Sequence, residues 1–253
     1  MVQPGGSTNL GSTDAAVVEA LRHALHGRIE PSQCTLESAA RIWTDVVDAS
    51  LGSALILARV FAVVPAAALP TPDLAFARAV AAQAGHALEQ DAPVLALMAT
   101  RGVCPAWNDR QGSRDHRAVP LASPDYVASM PMVSWLLGEL RAELRPRHDG
   151  HAIWVSGTGT TATFYVFDAR TSVDARGRLT IPAREFVREH DVRTVLGVGG
   201  TVRGGMLFTM ILFARQHVTR SVADRLVPVA ADFASLVQDA VSGGRLFEPA
   251  TRS

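Results

Sequence analysis

The tightest constraint in this 253-residue chain is the segment Arg193-Thr-Val-Leu-Gly-Val-Gly-Gly-Thr-Val-Arg-Gly-Gly-Met-Leu-Phe-Thr-Met-Ile-Leu-Phe-Ala214. Thr194 to Gly199 and Met206 to Ala214 are β-branched or bulky runs too short to be helices in their own right, and they predict two strands. Between them Gly199, Gly200, Gly204 and Gly205 can take the positive φ that a tight hairpin needs. From Val222 the period changes. Val222, Leu226, Val229, Phe233, Leu236, Val237 and Ala240 recur at steps of three and four, which predicts a helix with one apolar side laid against the sheet.

Charge and residue usage remove several function classes. Lys+Arg 24 balances Asp+Glu 24, so no net field draws the chain to nucleic acid or to an anionic membrane surface. All the basic side chains are arginine. The absence of lysine excludes a Schiff-base lysine, a pyridoxal anchor and a P-loop lysine. Cys34 and Cys104 form no C-x-x-C pair and complete no zinc cage, so separate reduced thiols are expected. The N-terminus lacks a charged and apolar leader pattern, and Met206 to Ala214 is about half a membrane span; a cytoplasmic protein is expected.

Residues 1–13 carry almost nothing to bury and read as a disordered tail. An N-terminal helical arm is expected over 14–53. Val18, Leu21 and Leu25 share one face before Gly27, and Leu36, Ala39, Ala40, Trp43, Val46 and Val47 share another before Gly52. Leu36, Trp43 and Val47 then offer an apolar face for a homodimer, or for packing on the chain's own sheet. Ala54 to Val64 is continuously apolar and ends at Pro65, as a central strand does. Thr71-Pro72-Asp73 reads as N-cap, N1 proline and acidic first turn of a helix closed by Gly85; Ser123-Pro124-Asp125 repeats the signal. Pro93 to Thr100 is a strand, and Pro131 opens a helix carrying Val133, Leu136, Leu137, Leu140 and Leu144. His151 to Val155 and Thr161 to Phe167 are strands around Gly157-Thr-Gly159, and Ile181 to His190 holds a short helix. This order lacks strict βαβ alternation, so an α+β domain on an antiparallel sheet is expected.

The least ordinary stretch runs from Leu97 to Leu121 and contains Cys104-Pro-Ala-Trp-Asn-Asp-Arg110 and Ser113-Arg-Asp-His116. Together with Pro131-Met132, Ile181-Pro182-Ala183, the Gly-Val-Gly-Gly ending at Gly200 and the closing hairpin and helix, it resembles the GAF-type sensory domains, relatives of PAS domains, that are fused to bacterial histidine kinases and cyclases. The resemblance spans about Ala54 to Val241. It implies a GAF/PAS-like antiparallel sheet flanked by helices over 54–242, with the N-terminal helical extension before it and a C-terminal tail over 243–253. It also implies a non-catalytic role in signal transduction. In the sensor kinases the last helix leads into a coiled coil and output domain, whereas here only Gly243 to Ser253 follow; a separate effector protein, such as a kinase or regulator, is the expected partner.

Trp107, Asn108, Asp109, Arg110, Ser113 and His116 concentrate an aromatic ring, an amide, both charge types and an imidazole in one loop. Such a loop can close over a small molecule of unspecified identity, Trp107 stacking on it and Arg110 or Arg114 gripping a carboxylate or phosphate. The competing reading pairs Arg110 with Asp109 or Asp115 and uses Trp107 as a core plug. A second alternative is an enzyme using Cys104 and His116, with Asp109 and Arg110, for redox or hydrolytic chemistry; a third is an interaction module that binds nothing small. His148 and His151 stand three apart, but Gly150 argues against an aligning helix, and no metal site is expected. The glycine run at Gly197 to Gly205 precedes a strand, which excludes the dinucleotide-binding turn. No cofactor is indicated.

Overall fold

The computed structural model describes residue 10 and residues 13–140, 142–146, 152–156 and 161–249. Most of the expected tail, the Gly157-Thr-Gly159 turn, His148 and His151 lie outside these residues. The chain is α+β, built on a six-stranded sheet in which every neighbouring pair is antiparallel.

Strand β1 (Leu55–Pro65) is buried along nearly all of its eleven residues. A strand sealed on both faces must be central, and β1 pairs with β2 (Pro93–Gly102) on one side and β8 (Leu207–Ala214) on the other. Outward from β2 lies β3 (Ala118–Pro120); outward from β8 lie β7 (Thr194–Thr201) and β6 (Thr161–Val166), giving the order β3-β2-β1-β8-β7-β6. Strands β4 (Ala142–Pro146) and β5 (Ala152–Ser156) form a separate ribbon beside β2.

The two faces of the sheet carry two cores. Ala58, Val60, Ala62 and Val64 of β1 point to the first, which is covered by α1 (Ala15–Arg28), α2 (Leu36–Leu51) and α8 (Val227–Leu236). Trp43 anchors it, stacked on Phe233 at 4.4 Å and edge-on to Phe208 at 6.1 Å. Leu36, Trp43 and Val47 are thereby spent inside the chain, so the apolar face expected for a homodimer is covered by the sheet and α8. The segment after α9 (Gln238–Ser242) returns to the same place: the amides of Leu36 and Glu37 donate to the carbonyls of Arg245 and Leu246.

Leu57, Phe61 and Val63 point to the second core with Leu95, Leu97, Phe164, Val195, Ile211 and Phe213. Helices α4 (Pro124–Ser129), α5 (Pro131–Glu139) and α6 (Arg184–Glu189) and the 103–117 loop cover it. Helix α3 (Thr71–Gln83) lies along β3 at the sheet edge.

Four local expectations are corrected. Gly199 and Gly200 belong to β7, not to the turn; Gly204 and Gly205, with φ of 103° and 91°, make it. A Cβ on Gly199 would stand 2.3 Å from the Phe208 carbonyl oxygen, so this glycine is required by the close approach of β8. Leu144 sits in β4, because α5 stops at Glu139 just after the weak helix former Gly138. Thr71 is the first residue inside α3 rather than its cap, and the Asp73 side chain turns away to two arginines. The long C-terminal helix is three pieces, α7 (Arg220–Arg225), α8 and α9; Pro228 at the start of α8 has no N–H to continue the ladder.

Candidate functional site

The 103–117 loop is pinned at its start by hydrogen bonds from two backbone amides. The Val103 amide donates to the Ile56 carbonyl at 3.0 Å, and the Gly102 amide donates to Asn108 Oδ1 at 2.8 Å. Asp109 caps a short turn at Arg110–Gly112 by accepting from the Gln111 amide. Asn108 and Asp109 thus fold the loop itself.

Trp107 and Arg110, three residues apart, leave the loop in different directions. Trp107 joins the second core, edge-on to Phe186 at 5.6 Å and to His190 at 4.7 Å, with its ring against Gly102. Arg110 reaches the first-core side. It is 8% exposed, bonds Glu37 of α2 at 2.6 Å and Asp73 of α3 at 2.7 Å, and lies 5.3 Å from the Phe247 ring centre. Asp73 also accepts from Arg117 Nε. The fork of Arg110 is therefore engaged by carboxylates distant in sequence, neither of them Asp109 or Asp115. Ser113 is half-buried, Arg114 and His116 are exposed, and the six loop residues do not converge on one point.

The polar group that does stand over the sheet is one the sequence reading passed over. Arg59 is the charged residue in the middle of β1, between Ala58 and Val60. By strand alternation it shares the second face with Leu57 and Phe61. Its neighbour across β2 is Thr100, placed on the same face by an extra residue in β2: Val60 pairs with Ala99, but Phe61 pairs with Leu97, leaving Met98 unpaired. Across β8 its neighbour is Ile211.

Arg59 Nε and Thr100 Oγ1 are both sealed from solvent without a hydrogen-bond partner. Trp43 Nε1, Arg117 Nη2 and Thr180 Oγ1 share that condition among the described residues, but only Arg59 and Thr100 are strand neighbours. A buried donor without an acceptor costs about 1–3 kcal/mol, so two side by side on an apolar face are expensive to keep. Burial pushes the Arg59 pKa down, and the charge of Asp115 opposes that shift without forming an ion pair. His116 retains exposed surface, yet surrounding protein displaces enough water to lower its pKa; the Arg59 charge adds to this and Asp115 opposes it. These effects bring Arg59, Asp115 and His116 into one electrostatic neighbourhood.

Cys104 is half-buried and makes no hydrogen bond to His116. Among the described residues no cluster of His, Cys, Asp and Glu could hold a metal ion, and no helix is long and apolar enough to cross a membrane. Two clefts open over the second core. One, of about 340 Å³, lies beside Trp135, Asp174 and Arg178; the other, of about 520 Å³, lies over Leu179, Ile181 and Val187 with Arg184 and Arg188 at its edge. Neither is lined by the six loop residues.

No family model and no curated protein matches this chain. Solved GAF domains are among the structures it is similar to. One is the GAF domain from a phosphoenolpyruvate-protein phosphotransferase of Coxiella burnetii, at 15% identity over 92% of this chain and 99% of that one, TM-score 0.49. A phycoerythrobilin-bound GAF domain from a cyanobacterial phytochrome is 11% identical over 89% and 97%, TM-score 0.44. Free methionine-R-sulfoxide reductase from Neisseria meningitidis, in complex with its substrate, is 8% identical over 90% and 89%, TM-score 0.47. No residue role is carried over from them.

Proposed function

We propose that this chain is a non-catalytic sensory or regulatory domain that binds a small ligand on the second face of its sheet and passes the event to a separate effector protein. The observation that supports this reading is the pair of adjacent, unpartnered donors on Arg59 and Thr100. Folding gains nothing from leaving them unmatched, and a ligand supplying acceptors would remove the cost.

The loop offers a route for the signal. At one end it rests on the second core through Trp107, and at the other Arg110 and Arg117 tie it to Asp73 and, through Glu37, to α2. Glu37 also accepts the Glu248 amide at 3.0 Å, so a shift of the loop reaches the start of α2 and the C-terminal segment together. The enzyme reading requires Cys104 and His116 to act as a pair, and they are not hydrogen-bonded.

The test is a panel of small polar metabolites screened by thermal shift against the full chain and its Arg59→Met variant. The expected result is a binder that stabilises only the parent chain and slows hydrogen exchange in 103–117 and at the start of α2. Binders indifferent to Arg59, or a turnover that disappears with Cys104→Ser, would overturn the proposal.

A further inference from the structure

We infer that Arg59 and Thr100 form a receptor for the anionic group of a small molecule, a carboxylate or a phosphate; this rests on the reading of the second face as the ligand-binding face. A guanidinium is a planar fork of five N–H donors with no acceptor, and its geometry fits two oxygens of one carboxylate or phosphate. Arg59 is held on a central strand of the sheet, where its Nε has lost water and gained nothing in return. Thr100, 7% exposed, adds a hydroxyl from the adjoining strand. A neutral ligand would satisfy the hydroxyl but leave the charge of Arg59 uncompensated.

The charges around the pair agree with this. Asp115 is the carboxylate whose field reaches Arg59, and it stays outside ion-pair distance. Burial and the Arg59 charge lower the pKa of His116, and the Asp115 charge opposes that shift. Elsewhere, Arg110 and Arg117 already have carboxylate partners, and Arg184 and Arg188 at the larger cleft are exposed and keep their water. Arg59 makes no ion pair with the described residues, and its Nε is sealed from water.

The experiment uses the full chain labelled for detection of arginine Nε–H resonances. Sodium acetate and inorganic phosphate are titrated separately at constant ionic strength, with chloride as control. The expected result is a saturable shift of the Arg59 resonance with one or both anions; the tighter of the two identifies the class. Thr100→Val should weaken that binding about tenfold or more, the loss of one hydrogen bond to a charged acceptor in a buried site. Arg59→Lys, which keeps the charge but not the fork, should bind measurably more weakly than the parent, and Arg59→Met should not bind. An anion whose binding survives Arg59→Met, or an Arg59 resonance that neither anion moves, overturns the inference. If a neutral metabolite then binds the same face, the receptor is not for anions although the sensory reading stands; if nothing binds there, both fail.

Discussion

Asp73, in the first turn of α3, accepts hydrogen bonds from both Arg110 and Arg117, joining the middle of the 103–117 loop to its end. Asp73 is 2% exposed, and its arginine partners have 8% and 14% of their side chains exposed. The loop is therefore tethered by a charge cluster, not draped over the surface.

Removing Asp73 leaves Arg117 without its carboxylate and Arg110 with Glu37 alone. Breaking a buried ion pair from one side costs about 3–5 kcal/mol, so Asp73→Ala should lower the denaturant midpoint by a corresponding amount. An unfolding curve superimposable on the parent's would mean the cluster contributes nothing.

Trp43→Ala and Trp107→Ala should differ in size. Trp43 is 1% exposed between Phe233 and Phe208, and its loss should cost about 3–5 kcal/mol as a large cavity opens. Trp107 is only half-buried, so its removal should cost clearly less in the same assay.

Gly199→Ala should damage the fold more than Gly204→Ala. At Gly199 the new methyl meets the β8 backbone, which cannot move without breaking the β7–β8 ladder, whereas Gly204 has open space and pays only for its φ of 103°, about 1–3 kcal/mol. Melting curves of the two variants test the order.

Arg59→Met should raise stability by about 1 kcal/mol or more, since an unmatched buried donor and its charge are replaced by an apolar chain on an apolar face. Stability gained together with loss of ligand response is the pattern of a residue kept for binding. A destabilised Arg59→Met variant would count against that assignment.

His116 gives a pH dependence of known sign. Its folded pKa lies below the ordinary 6.5, so below 6.5 the unfolded chain binds more protons than the folded one. Its contribution is fully present above pH 6.5, falls as pH drops from there to the folded pKa, and changes no further below it. His116→Gln should flatten the stability profile in that window, measured by urea unfolding at successive pH values.

Much of the architecture was legible because it is written in local pattern. The apolar runs of β1, β2 and β8, the closing hairpin and the three-four spacing of α2 and α8 all appear in the chain with the periods they keep in the fold. The loop was legible as unusual, but not the destinations of its side chains: Arg110 finds Glu37 and Asp73, which lie 73 and 37 residues away. No spacing rule reports such partners.

The sequence by itself determined the secondary elements, the two-faced sheet and the absence of lysine chemistry, since each follows from residue type or from the period of apolar side chains. Tertiary structure alone decided where Thr100 points. In an unbroken strand the alternation from Leu97 would send Thr100 to the first core; the extra residue at Met98 reverses the phase and sets its hydroxyl beside Arg59. A bulge is fixed by how one strand pairs with another, so the pair that defines the candidate site exists only once β1 and β2 have come into register.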